Sequence, residues 1–171
     1  VPDRHTSAME ESAEAFAMLL QLVNVAKDVH DDYVGENNVY LPAAWLQEES
    51  VPQDAVTDPV HREGVVTVVE QTTALAQTCL DDAQTYLEIM PIARGNTLAA
   101  WLVPYLLAVG TLRELENRPE DVPTQGEVQV DREEVYAVLA ATESATAEDI
   151  RTLQDAIARE PLHLSNRVPY S

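Results

Sequence analysis

Along most of the chain, apolar residues return every three or four positions and no stretch alternates with a period of two, so the pattern predicts helices and no sheet. Ser7 and Glu10 have the spacing of a capping box, and Phe16, Leu19, Leu20, Val23 and Ala26 share a face behind them. Together they predict a helix from Ser7 to about Gly35. Asn37 to Pro42 reads as a loop, Ala43 to Glu49 as a short helix, and Pro52, Asp58 and Pro59 punctuate a second loop. Asp58 and Pro59 suit the N-cap and first turn of a long helix carrying Val65, Val68, Val69, Leu75, Leu80 and Leu87 to about Met90, where Pro91 ends it. A third main helix covers Asn96 to Glu116; its first half is so apolar that most faces must be buried, with Pro104 bending it. Pro119, Pro123 and Gly126 mark a polar connection, and Asp131 to Ala141 and Thr146 to Glu160 are shorter amphipathic helices before a loose tail after Pro161. The fold class is therefore all-α.

Composition narrows the setting. At 171 residues and 46% hydrophobic, the chain suits one globular domain with a sizeable core. Thirty acidic residues face ten basic ones, a net charge of −20 that opposes attraction to nucleic acid phosphate or to an anionic membrane. Lys27 is the only lysine, the other cations being arginine, and this heavily carboxylated surface suits concentrated salt, a halophilic setting. Cys79 is the only cysteine, so no intrachain disulfide or cysteine-rich zinc cluster can form, and a reducing cytoplasmic location fits. The longest apolar stretch, Leu98 to Gly110, falls short of the roughly twenty residues of a membrane span, so no transmembrane segment is expected. The start, Val-Pro-Asp-Arg-His, carries neither a basic segment nor an apolar signal core, and the chain is expected to be a piece of a longer protein.

One segment could carry chemistry. On a helix, Gln21, Asn24, Asp28 and Asp32 fall on one stripe, which brings two carboxylates and an amide oxygen together. Hard oxygen donors of this kind suit Mg2+, which completes its octahedron with waters and substrate phosphates, and a diphosphate could approach two aspartates only with a cation between. The same stripe continues back through Ala17, Glu14 and Glu10, so a solvated helix face accounts for it equally. Met18 and Val25 on one side and Leu20 on the other make it narrow for such a face and favour a walled cleft. An EF-hand fits poorly, because the run from Asp28 lacks the glycine at its sixth position and the glutamate at its twelfth.

Gln21-x-x-Asn24-x-x-Lys27-Asp28-x-x-x-Asp32, followed by Tyr40-Leu41-Pro42, resembles the second aspartate-rich motif of the squalene and phytoene synthases. Trp101 to Arg113, with Val128 to Val138 after it, resembles the squalene branch more than the phytoene branch. The resemblance implies the all-helical isoprenoid (terpenoid) synthase fold, with residues 1–142 as the C-terminal half of a trans-prenyltransferase catalytic domain and 143–171 as a C-terminal helix and tail. It implies catalytic carboxylates at Asp28 and Asp32, magnesium ligands at Asn24, Asp28 and Asp32, and substrate contacts from Gln21, Asn24, Lys27 and Tyr40. The implied reaction joins two farnesyl diphosphates head to head, through presqualene diphosphate, with NADPH reduction to squalene. Peripheral membrane contact for release of so apolar a product is implied too. Condensation of two geranylgeranyl diphosphates to phytoene, without NADPH, is the alternative within the family, and a non-catalytic acidic helical module the alternative outside it.

The chain departs from the family pattern in three places. Lys27 stands where arginine is usual, losing the two-pronged phosphate contact, and helical spacing suggests an ion pair with Asp31 four residues on. Asn38 stands where another arginine is common, and no segment before Ser7 supplies a first aspartate-rich motif. Elsewhere the plain reading is the expected one: His30 packing or facing solvent opposite the stripe, Cys79 a small buried residue, Trp101 and Tyr105 packed in the core, and Asp81 and Asp82 surface charge.

Overall fold

In a computed structural model that describes residues 4–89 and 97–165, the backbone forms α1 (Arg4–Lys27), α2 (Val29–Glu36), α3 (Ala43–Glu48), α4 (Arg62–Thr78), α5 (Leu80–Ile89), α6 (Thr97–Asn117), α7 (Arg132–Thr142) and α8 (Ile150–Arg159). There is no strand among the described residues. The all-α architecture expected from the periodicity is the architecture observed.

The core is organised around α6, because its apolar residues leave almost no polar face. Leu98, Leu102, Leu106, Val109 and Leu112 are buried, and α6 packs against α1 and α4 on one side and α7 and α8 on the other, while α1 lies along α4 and α5. By length and mean hydropathy (1.3) α6 could cross a membrane, over a longer span than the apolar stretch from Leu98 to Gly110 suggests, but 61% of that window is buried inside the molecule. Its apolar surface is thus spent on the core. Pro104 lies within the helix, where its ring removes one donor from the ladder.

Phe16 of α1 anchors an aromatic cluster, 5.4 Å from the Tyr86 ring, 5.9 Å from Trp101 and 6.3 Å from Tyr105, pairs worth roughly 0.5–1.5 kcal/mol each beyond their burial. Tyr105 is fully buried and donates its hydroxyl hydrogen to Gln154 of α8; burial, the largest cause, and nearby acids push its pKa upward. Trp101, in contrast to the expected core position, is 41% exposed at the cluster's edge.

A second tie holds α7 and α8 to α6. Arg113 is 5% exposed and Glu134 1%, and the guanidinium grips the carboxylate with both prongs, at 2.8 and 2.7 Å. Arg113 also donates to the Ile157 carbonyl at 2.7 Å and to Glu114 at 3.0 Å, while Glu134 accepts from the Leu162 backbone at 3.1 Å. Burial alone would lower the Arg113 pKa, but its hydrogen bonds to Glu134 and Glu114 outweigh that and hold it above the ordinary value. Of the Arg113 nitrogens, Nε is the one buried without a hydrogen-bond partner.

Several boundaries differ from those the pattern predicts. Ser7 lies inside α1, not at its cap, because the helix already runs from Arg4. The helix expected to reach Gly35 breaks at Asp28 (φ −95°, ψ 10°), and the one expected from Asp58 to Met90 breaks at Cys79 (φ −86°, ψ −11°). Cys79 itself is half-buried, against the buried position expected of it. Asp58 does cap a first turn, accepting from Val60 N at 3.0 Å, and Thr146 and Asp149 form a reciprocal capping box ahead of α8. The tail is not loose immediately after Pro161: Leu162–Leu164 makes a 3₁₀ turn with Leu162 buried, since its backbone N–H is held by Glu134. Met90, Pro91 and Asn96, the expected end and start of two helices, lie outside the described residues.

Candidate active site

Although the backbone dihedrals depart from helical at Asp28, the hydrogen-bond ladder does not. Asp28 N donates to the Asn24 carbonyl at 3.0 Å, and Asp32 N to the Asp28 carbonyl at 2.8 Å, so Asn24, Asp28 and Asp32 still follow one another at single-turn intervals. Gln21 and Asn24 are exposed, whereas Asp28 and Asp32 are half-buried.

Lys27 makes a different pair from the one its spacing suggests. Its Nζ lies 2.6 Å from Asp28 Oδ1, not on Asp31, and Asp31 instead faces His30 Nδ1 at 3.4 Å. Lys27 ends α1 and Asp31 lies in α2, and the ammonium takes the adjacent carboxylate of Asp28, the residue between the two helices. With the Asp28 side chain 32% exposed, this pair is worth at most about 1 kcal/mol. One ammonium does not neutralise the group. Burial first, then the charges of Asp28 and Glu36, raise the Asp32 pKa above the ordinary carboxylate range, with Lys27 opposing and Asp31 adding to the rise.

α2 ends on Asn37, which takes the left-handed conformation (φ 57°), and the chain then folds back over the stripe. Asn38 N donates to the Asp32 carbonyl at 3.1 Å, so the residue that replaces the family's second arginine sits at the carboxylate end of the stripe. Its side-chain amide donates to the Tyr40 hydroxyl at 3.3 Å. Tyr40 is 55% exposed, held in place by the buried Leu41 that follows it.

Beside the stripe opens a cavity of about 370 Å3. Leu20, Val23, Asn24 and Lys27 line it from α1, Pro104, Leu107, Ala108 and Thr111 from α6, Gln129 and Val130 from the segment leading into α7, and Val135 from α7 itself. Asn24 therefore belongs to both the stripe and the cavity, and Lys27, which lines the cavity too, is followed directly by Asp28. Gln21, Asp28, Asp32, Tyr40, Trp101 and Tyr105 do not line this cavity.

No cluster of three or more His, Cys, Asp or Glu side chains suited to a metal occurs among the described residues. The donor set present is two carboxylates and one amide oxygen, which fits magnesium, an ion that normally keeps several waters and takes only one or two protein carboxylates. Burial first, and then the charges of Asp28 and Glu36, disfavour the ionised form of Asp32, and a bound cation would oppose both. Asp81 and Asp82 are exposed, as expected of surface charge.

Sequence reasoning gave no role to Gln129, Val130 and Val135, although they fall in the stretch Val128 to Val138 whose resemblance it noted. It also missed the Arg113–Glu134 pair that holds this stretch against α6.

Residues 1–134 match the family model for squalene/phytoene synthase. The chain belongs to the squalene/phytoene synthase family. Among curated relatives, it is 32% identical over 103 residues to a bifunctional lycopene cyclase/phytoene synthase of Colletotrichum graminicola, covering 58% of this chain and 17% of that protein. It is 29% identical over 82 residues to a 15-cis-phytoene synthase of Enterobacter agglomerans, covering 48% of this chain and 28% of that one. A bifunctional lycopene cyclase/phytoene synthase of Podospora anserina is 30% identical over 122 residues, covering 70% of this chain and 20% of its own. The chain thus spans less than a third of these relatives' length. No solved structure gives a significant match. The family match contains the whole stripe, the Tyr40 loop, α6 and all the cavity-lining residues through Val130.

Proposed function

We propose that the complete protein containing this chain joins two isoprenyl diphosphates head to head, taking farnesyl diphosphate to squalene. The observation that carries it is the adjacency of the Asn24, Asp28 and Asp32 stripe, through Asn24 and the neighbouring Lys27, to an apolar cavity: a charged head group and a prenyl chain each find their match. Asn24, Asp28 and Asp32 would hold Mg2+, which when bound supplies positive charge for the departing diphosphate. Lys27 contributes a further cation at the same end, and its ion pair with Asp28 keeps it aimed along the stripe. Leu20, Val23, Leu107 and Ala108 shield the allylic cation from water while the second substrate's double bond attacks it. The preference for the shorter substrate is supported by where the squalene-like stretches fall: Pro104, Leu107, Ala108 and Thr111 come from one of them and Gln129, Val130 and Val135 from the other. They are cavity wall, where chain length would be read. NADPH would supply the hydride that completes the squalene reaction.

A second reading has its own support. The named relatives are phytoene synthases, which favours condensation of two geranylgeranyl diphosphates. The test is to incubate the complete protein with labelled farnesyl and geranylgeranyl diphosphates separately, with Mg2+ and NADPH. Squalene from the shorter substrate, lost on chelation of the metal, is expected. Phytoene from the longer one and nothing from the shorter would reverse the assignment, and no product from either would contradict the condensation itself.

A further inference from the structure

Gly110 sits in the middle of α6 and is buried, a place where glycine is disfavoured against alanine unless something needs the space. That something is Val130: a methyl group added at Gly110 would stand 2.5 Å from Val130 Cγ1, far inside van der Waals contact, and 3.3 Å from Ile157 Cγ2. The side chain that occupies the notch is β-branched and stiff, so it cannot fold away. Its backbone is held as well. Asp131, the next residue, caps α7 by accepting from Glu134 N at 2.8 Å, and Glu134 is gripped by Arg113, one turn beyond Gly110 on the same helix. Retreat of Val130 would have to disturb that buried pair.

Val130 also lines the cavity beside Leu107, Ala108 and Thr111. At about 370 Å3 the cavity is near the small end for a ligand site, so a methyl-sized movement of its wall changes what fits. We propose that Val130, seated in the notch of Gly110, sets the depth of the cavity and is the residue that determines which prenyl chain length is accepted. This rests on the prenyl diphosphate substrate proposed above. Removing the Val130 methyls opens the wall; filling the notch pushes Val130 inward and closes it.

The experiment compares kcat/KM for geranylgeranyl over farnesyl diphosphate in the complete protein and three variants. Val130→Ala should raise the ratio by on the order of tenfold, Gly110→Ala should lower it, and the double variant should return toward wild type, since the added methyl then meets no valine. Binding of the non-reacting thiolo analogues of both diphosphates is read in parallel, with circular dichroism to verify folding. If the analogues shift with Val130 but no condensation product forms, the inference stands and the proposed reaction falls. If product forms and the ratio stays within twofold in Val130→Ala, or the analogues bind every folded variant alike, the inference is overturned and the proposed reaction is untouched.

Discussion

Two carboxylate sites in this molecule are handled in opposite ways. Glu134 is buried, gripped by both prongs of Arg113 and bonded to the Leu162 backbone, so its charge is matched from every side. Asp32 is half-buried among Asp28, Asp31 and Glu36, with Lys27 the cation that opposes them, and its pKa is raised. A chain with thirty acids and ten bases could have placed an arginine beside the stripe, yet it places Asn38 there. Charge that is fully satisfied locks elements together; charge left unsatisfied beside a cavity is what a cation-dependent site requires.

Breaking the satisfied site should give the largest effect. Arg113→Met leaves Glu134 buried without a countercharge and is expected to cost about 3–5 kcal/mol in urea unfolding, whereas Arg113→Met combined with Glu134→Leu recovers most of it. Equal losses in single and double variants would show that the pair itself, and not the stranded charge, is what matters.

Salt should separate the two sites next. Repulsion among the surface carboxylates is screened in molar potassium chloride and not in dilute buffer, so the melting temperature should fall by on the order of 5 °C or more on dilution. The buried pair is little screened, so the double variant should show the same fall as wild type. A melting temperature equal or higher in dilute buffer would contradict adaptation to salt.

The smallest effect sharpens the unsatisfied site. Because the folded-state pKa of Asp32 is raised, the stability linked to its proton is fully present below the ordinary carboxylate pKa and is lost as pH rises through the raised value. At neutral pH the ionised group is a burden, so Asp32→Asn should melt on the order of 2 °C higher than wild type without metal. That advantage should shrink as pH falls through the carboxylate range. An Asp32→Asn protein that melts lower at neutral pH would place Asp32 among the satisfied charges.

Most helices could be read in the sequence because their apolar spacing is the spacing of buried faces: Ile150, Leu153 and Ile157 of α8 are an instance. The stripe was readable for the same reason, its spacing surviving intact. The breaks at Asp28 and Cys79 were not, since neither position carries proline or glycine and hydrogen bonds continue across both, Ala83 N donating to Cys79 O at 2.9 Å. The third cavity wall was hidden because Gln129 and Val130 precede α7, and only the notch at Gly110 and the grip of Arg113 decide where they lie. Local pattern carries no trace of such contacts.

The central claim is that Asp28 and Asp32 act together on a metal-bound diphosphate. Turnover of the complete protein, measured against Mg2+ concentration in wild type, Asp28→Asn and Asp32→Asn, tests it most directly. An amide cannot supply the charge the metal needs, so each variant should lose on the order of a hundredfold or more in turnover while its far-ultraviolet dichroism stays unchanged. Rates equal to wild type in the folded variants would return the stripe to an ordinary solvated helix face.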